Sequence, residues 1–239
     1  ILYIDKSDCV IGKQDNRMIV KYKDEMVRTI PIESIDGITL LGHAQVTTQC
    51  IQECLKKGIS VSYFSKGGHY FGRLSSTGHI KASLQRKQAG LYDQPFALEL
   101  SKKIIYAKIH NQIVVLRRYS RSTNHNISDI ELHMKSALRK VNYVKSIEEL
   151  MGYEGSAAKY YFKGLSICID DAFNFEGRSK RPPRDAFNSM LSLGYSILMN
   201  ELYGEIEIKG LNAYFGFLHR DAEKHPTLAS DMMEEWRAV

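Results

Sequence analysis

The stretch that decides the fold is residues 59–78, ISVSYFSKGGHYFGRLSSTG, because the pattern of the chain changes there. Its first six residues alternate in polarity, and after Lys66-Gly67-Gly68 a second apolar run, 70–74, returns at hairpin distance. Small polar residues at 75–78 then interrupt the pattern in the way a linker does. We therefore predict two strands that close a β-rich domain near residue 75.

Upstream of this stretch, short β-branched runs predict an antiparallel β region. The runs lie at residues 2–4, 9–11, 18–22, 26–30 and 37–41, with turn residues Asp15-Asn16 and Lys23-Asp24 between them. One helix, residues 47–57, interrupts the strands and ends at Gly58, a good C-cap.

Downstream, from about Pro95, apolar residues recur at helical spacing along one long segment. Further helices are predicted at 129–141, 147–164, 185–203 and 227–236, the second of them opened by a Ser146 and Glu149 capping box. We therefore predict an α+β chain with a β-rich domain at 1–75, a linker at 76–94 and an all-α domain at 95–239.

Composition sets broad limits on function. The 239 residues carry a net charge of +6, which suits a polyanionic partner but does not separate a nucleic-acid binder from other basic proteins. No apolar stretch approaches the roughly 20 residues of a membrane span, so no membrane is expected. The cysteines show no paired spacing and are read as reduced thiols of a cytoplasmic protein: Cys9, Cys50, Cys54 and Cys168.

Phosphate-loop, zinc-protease and nucleophile-elbow signatures are absent, so chemistry must come from scattered carboxylates and histidines. Glu154 lines up with Ala158, Tyr161 and Leu165 at helical spacing, on an otherwise apolar face. An inward carboxylate is costly unless it is paired or binds a metal. The alternative is that the helix starts later and Glu154 is solvated.

Two further places hold candidate ligands. His219 follows an apolar run and is either a ligand or a capped core histidine. Asp231 and Glu234 are three residues apart and share a helix face, which is tolerable on a solvated surface or opposite a divalent cation.

These places belong to an ordered series of motifs along the chain. The series is Glu154-Gly155, then Arg181-Pro182-Pro183-Arg184-Asp185, Gly194-Tyr195, Gly216-Phe217-Leu218-His219, and an acidic segment from Leu228 to Arg237. In this order the chain resembles the CRISPR-associated integrase of spacer acquisition, the Cas-one family. It departs from that family at Asn212-Ala213, where many members have Asp-Pro, and it is expected to lack a C-terminal segment.

The resemblance implies a mechanism and partners. Glu154, His219 and Glu234 would bind Mg²⁺ or Mn²⁺, with Asp231 as an auxiliary acid in the same pocket. A DNA 3′-hydroxyl would attack a phosphodiester of the CRISPR repeat. The implied partners are double-stranded prespacer and repeat DNA, a second copy bound through the β domain, and a Cas-two protein.

A basic segment at 178–184 leads into one of the predicted helices, and we interpret it as a phosphate clamp rather than a solvated loop. The predicted DNA-binding residues are Arg178, Lys180, Arg181 and Arg184, with Lys159, Arg220 and Arg237 as weaker candidates. Two rival functions stay open: a structure-selective metal nuclease on branched DNA or RNA, and a non-catalytic DNA-binding scaffold.

Overall fold

The computed structural model describes residues 1–78, 80–179, 182–219, 223 and 225–238. The chain divides into two compact units, residues 1–80 and 81–239. Strands build the first unit and helices build the described part of the second, which confirms the predicted α+β class. The segment predicted as a linker, 76–94, contains a helix, α2 (Ala82–Gly90).

The first unit holds two four-stranded sheets, ordered β1-β5-β7-β8 and β4-β3-β2-β6. Side chains of both sheets and of the helix α1 form one apolar core. The strands and the helix are β1 (Leu2–Ile4), β2 (Cys9–Gln14), β3 (Arg17–Tyr22), β4 (Glu25–Pro31), β5 (Gly37–Leu41), β6 (Gln45–Val46), α1 (Thr48–Lys57), β7 (Ser60–Phe64) and β8 (Tyr70–Leu74).

The expectation of a purely antiparallel region is wrong. The pairs β1–β5, β5–β7 and β2–β6 are parallel. Between β5 and β7 the chain crosses over through α1, which Thr47 caps and Gly58 ends at φ 73°. Such a crossover returns the chain in its original direction, whereas a hairpin reverses it.

The two hairpins predicted at the start of the chain are present. β2 pairs with β3 across Asp15-Asn16, and β3 pairs with β4 across Lys23-Asp24. Asp15, Lys23 and Asp24 have φ values of 52°, 49° and 65°, the left-handed backbone that tight hairpin turns need.

Seven α-helices in all are found among the described residues, and the second unit contains six of them. The remaining five are α3 (Pro95–Thr123), α4 (Ser128–Val141), α5 (Ile147–Cys168), α6 (Ala186–Ile208) and α7 (Thr227–Glu234). The helices α3, α4 and α5 share the largest apolar core, and α7 packs against both α3 and α6. The helix α3 therefore touches both α5 and α7. No helix in the described part of the chain has the length and apolarity to cross a membrane.

The helix α5 continues past Gly164, where we predicted its end. A Cβ at this position would lie 2.9 Å from Leu116 Cδ1 of α3, so the glycine serves close helix packing rather than termination. The helix α6 likewise runs five residues beyond the predicted end at 203, and α7 stops two residues before 236.

The N-terminal cap of α5 gives a stability prediction. Ser146 Oγ accepts a hydrogen bond from Glu149 N at 3.2 Å, and Glu149 Oε2 accepts one from Lys145 N at 2.9 Å. Ser146→Ala should lower the free energy of unfolding by about 1 kcal/mol, measured by urea denaturation. Ser166→Ala on the same helix removes a local bond to Lys163 O, and we expect a change below about 0.5 kcal/mol. Equal losses would contradict the cap assignment.

Candidate active site

Two of the predicted ligands meet around a lysine that the sequence analysis did not select. Lys108 of α3 forms buried ion pairs with Glu154 of α5 and Glu234 of α7, the latter with Nζ 2.5 Å from Oε2. Lys108 is only 5% exposed and Glu234 only 3%. The helix α5 runs through both glycines beside Glu154, so the alternative of a solvated carboxylate is wrong. Three helices thus converge on one buried ammonium group.

His219 is held by a buried carboxylate. Asp231 is fully buried, and its Oδ1 lies 2.8 Å from His219 Nδ1. The same carboxylate accepts hydrogen bonds from three successive backbone N–H groups, those of Phe217, Leu218 and His219, at 2.6–2.9 Å. With Nδ1 donating to Asp231, His219 Nε2 is left as the acceptor nitrogen, the form that binds metals.

The acidic pair on α7 is therefore not a solvated face. Both Asp231 and Glu234 are buried, and they perform different tasks. Asp231 is saturated by donors of the His219 loop, so it positions that loop. Glu234 Oε1 lies 3.0 Å from Arg237 Nη2 and 3.8 Å from His219 Nε2.

Gly216 allows this loop to lie against α7. A Cβ at Gly216 would come within 2.8 Å of Thr227 Cβ and 2.9 Å of Asp231 Oδ2. Such distances are shorter than real contacts, so a side chain would push the loop away from the carboxylate. Close packing of the loop against α7 therefore explains the glycine of the Gly216-Phe217-Leu218-His219 motif.

The donor set suits a divalent cation, but its arrangement does not yet form a metal site. Two carboxylates and an imidazole are ligands for Mg²⁺ or Mn²⁺, and Glu234 Oε2 is buried without a well-formed hydrogen bond. In the described part of the chain, no three His, Cys, Asp or Glu side chains are gathered closely enough to hold a metal. Glu154 and Glu234 share Lys108 instead.

A cavity of about 200 Å³ opens beside Glu154 and Lys108. Two guanidinium groups flank the Tyr195 ring, Arg178 at 5.5 Å and Arg237 at 5.4 Å from its centroid. Burial lowers the pKa of Arg178 and raises the pKa of Tyr195, although the two cations partly offset the latter. The lining residues are Lys108, Gln112, Glu154, Ala158, Phe162, Arg178, Tyr195 and Arg237.

A buried asparagine holds Arg178 in place. Asn188 Oδ1 accepts hydrogen bonds from Arg178 Nη1 and Ser179 N, both at 2.9 Å, and Asn188 Nδ2 donates to Gly177 O. Asp185, the N-cap of α6, accepts from Asn188 N at 2.7 Å, and backbone hydrogen bonding lowers the pKa of its carboxyl group. The start of α6 therefore fixes the approach of Arg178 to the cavity.

The other predicted DNA-binding residues are distributed differently. Arg184 is exposed, and its backbone N donates to Ser179 Oγ. Lys159 is exposed on α5, five positions after Glu154 and therefore off the face that Glu154 shares with the cavity. Lys180, Arg181 and Arg220 lie outside the described residues.

Sequence reasoning missed Lys108, Gln112 and Asn188. The sequence did contain a sign that Lys108 is buried. It lies three residues after Ile105 and one before Ile109, within the apolar spacing of α3. A charged side chain on an apolar helix face predicts a buried counter-charge, as Glu154 did.

A family model with the description CRISPR associated protein Cas1 matches residues 2–239. The chain belongs to the Cas1 family. The resemblance inferred from the ordered motifs is thereby confirmed. The CRISPR-associated endonuclease Cas1 of Mycobacterium tuberculosis (strain H37Rv) is 44% identical over 238 residues, covering 99% of this chain and 70% of that protein. Family membership also confirms the predicted nuclease class of enzyme.

Solved structures of similar proteins share the fold. A casposase bound to integration product matches 99% of this chain and 69% of its own, with a TM-score of 0.82 and 25% identity. A Cas6-RT-Cas1--Cas2 complex matches 99% of this chain with a TM-score of 0.80 and 28% identity. This chain spans about a quarter (26%) of the matched chain in that complex.

Proposed function

We propose that this chain is a divalent-metal-dependent DNA endonuclease and integrase that inserts spacer DNA into a CRISPR array. The observation that carries the proposal is the convergence of Glu154, Glu234 and His219 beside a cavity walled by arginines. Its Cas1 relative is an endonuclease by name, and the casposase that shares its fold is bound to an integration product. An acidic site next to a basic cavity suits chemistry on a phosphodiester.

Glu154, Glu234 and His219 Nε2 are the groups that would hold Mg²⁺ or Mn²⁺. When bound, such a cation polarises a phosphoryl oxygen and stabilises the charge on the leaving oxygen. Asp231 keeps Nδ1 of His219 engaged and so directs Nε2 toward Glu234. His219 is 31% exposed at its side chain, which leaves the site open toward solvent and DNA.

The cationic residues of this chain would bind and orient the DNA backbone. Arg178 and Arg237 line the cavity, and the Nε–H group of each donates to no partner among the described residues, which leaves a donor for a phosphate oxygen. In the reaction, a 3′-hydroxyl of the prespacer forms a bond to a repeat phosphorus. The bond from that phosphorus to the repeat 3′-oxygen breaks, and a proton passes overall from the attacking to the leaving oxygen.

Partners and location are part of the proposal. The edge strand β4 exposes Met26 and Val27, each 63% exposed, which suits pairing with a second copy of the first unit. A Cas-two protein is proposed as a partner because the solved relative assembles with Cas2. A cytoplasmic location is proposed because all four cysteines are free thiols.

A plasmid integration assay tests the function against both rivals. Labelled double-stranded prespacer, a plasmid with the repeat, and the Cas-two partner are incubated with Mg²⁺ or Mn²⁺ or with chelator. Joined product that disappears with chelator is expected. Cleavage without joining would favour the structure-selective nuclease, and metal-independent DNA binding without chemistry would favour the scaffold.

A further inference from the structure

Lys108 lies between two of the three groups that are proposed to hold the metal. Its ammonium is shared by Glu154 and Glu234, two acids from different helices that would otherwise repel each other in a buried setting. A buried ion group of this kind is costly to form, and it persists only when its geometry satisfies each charge. The lysine therefore acts as an internal counter-ion for the two acids.

A second acceptor lies one helical turn further along α3. Gln112 is only 2% exposed, lines the same cavity as Lys108, and its Oε1 accepts no hydrogen bond from the described residues. Buried amide oxygens are nearly always paired, so Gln112 Oε1 is an acceptor available to a cation that moves toward it. Residues four apart on a helix are neighbours, which puts Gln112 Oε1 within the range of the lysine side chain.

We propose that Lys108 is a positioning residue whose ammonium group has two alternative positions. This inference rests on the proposed function. Without metal its ammonium joins Glu154 to Glu234. When a divalent cation binds those carboxylates, the ammonium withdraws to Gln112 Oε1 at the cavity wall. There it adds a third cationic group to Arg178 and Arg237, so the phosphate subsite is completed only after the metal has bound.

Electrostatics favours this movement of Lys108. A divalent cation and the Lys108 ammonium compete for the same two carboxylates, because like charges a few ångströms apart repel each other. Arg237 also contacts Glu234, with Nη2 3.0 Å from Oε1, but Lys108 pairs with both Glu154 and Glu234 and is therefore the cation that a metal bound to both would displace. Metal binding and phosphate binding would thus favour each other through Lys108.

Calorimetric titration of the full chain with Mn²⁺, together with thermal unfolding with and without Mn²⁺, tests the inference. Lys108→Met should lower the metal-free melting temperature, because two buried carboxylates lose their counter-ion, and should tighten Mn²⁺ binding about tenfold, because no ion pair must break. Gln112→Met should leave the metal-free melting temperature unchanged or higher and weaken Mn²⁺ binding about fivefold, because the withdrawn ammonium loses its acceptor.

Lys102→Met is the matched control, because Lys102 lies on the same helix and pairs with the exposed Glu99 at 2.8 Å. It should change neither quantity. Unchanged or weaker Mn²⁺ binding by Lys108→Met, or unchanged binding by Gln112→Met, would overturn the inference, and the second variant decides alone if the first does not fold. Glu154→Gln tests the metal site separately from the movement of Lys108. If this variant loses Mn²⁺ binding, Glu154 is a metal ligand whatever Lys108 does. If it binds Mn²⁺ as wild type does, the proposed metal site itself is wrong.

Discussion

Replacing Glu154 with glutamine is expected to reduce strand joining about a thousandfold. The amide keeps the size of the side chain but removes the charge that faces Lys108 and that would bind the cation. Metal stabilisation of a phosphoryl-transfer transition state is worth several kcal/mol, and each 1.36 kcal/mol is a factor of ten in rate. The measurement is the initial rate of joined product with Mg²⁺ or Mn²⁺ at saturating DNA.

The same variant should bind DNA within about threefold of wild type, because phosphate contacts come from cations that the substitution leaves in place. Fluorescence anisotropy with labelled prespacer measures this. Glu99→Gln makes the same chemical change at an exposed position of α3 and should leave both quantities unaltered. Wild-type joining by Glu154→Gln would mean that Glu154 serves only as the partner of Lys108.

Sequence reasoning located the elements better than their pairing. The runs of β-branched residues and the turns at Asp15-Asn16 and Lys23-Asp24 are local signals, and the corresponding hairpins are present. The parallel pairing of β1, β5 and β7 depends on contacts between distant segments, which alternation along one strand does not encode. The helix α2 was missed because its sequence has little apolar periodicity, although Gln88 is buried. Its Nε2 donates to Asn212 O and Phe215 O, and its Oε1 accepts from Asn212 N.

At the candidate site, too, the sequence indicated which residues matter but not how they contact one another. Motif order selected Glu154, His219, Asp231 and Glu234 as candidates, and the structure links them in one series of contacts through Lys108. Motif order could not tell which acid faces the cavity and which holds the loop, because both lie on one short helix. The distinction comes from donors: Asp231 meets three backbone N–H groups, whereas Glu234 meets side-chain cations.

Because Asp231 holds the His219 loop, Asp231→Asn is the second substitution from which we expect a large effect. In asparagine one carboxylate oxygen becomes an NH₂ donor, which faces either the N–H groups of Phe217 and Leu218 or the N–H and imidazole of His219. Buried donors left without acceptors cost about 1–3 kcal/mol each, so the free energy of unfolding should fall by about 3 kcal/mol. Urea denaturation measures this, with the exposed Asp129→Asn as control.

Asp231→Asn should also impair the chemistry, by an amount comparable in free energy to its effect on folding. His219 loses the anionic acceptor that fixes its tautomer, and the loss of such an outer partner lowers metal affinity or activity about 10- to 100-fold. Hydrogen exchange should report faster exchange at the backbone amides of 217–219, while the α3–α5 core stays protected. If strand joining falls but those amides remain protected, Asp231 acts on the reaction directly, as an auxiliary acid rather than as the residue that holds the His219 loop.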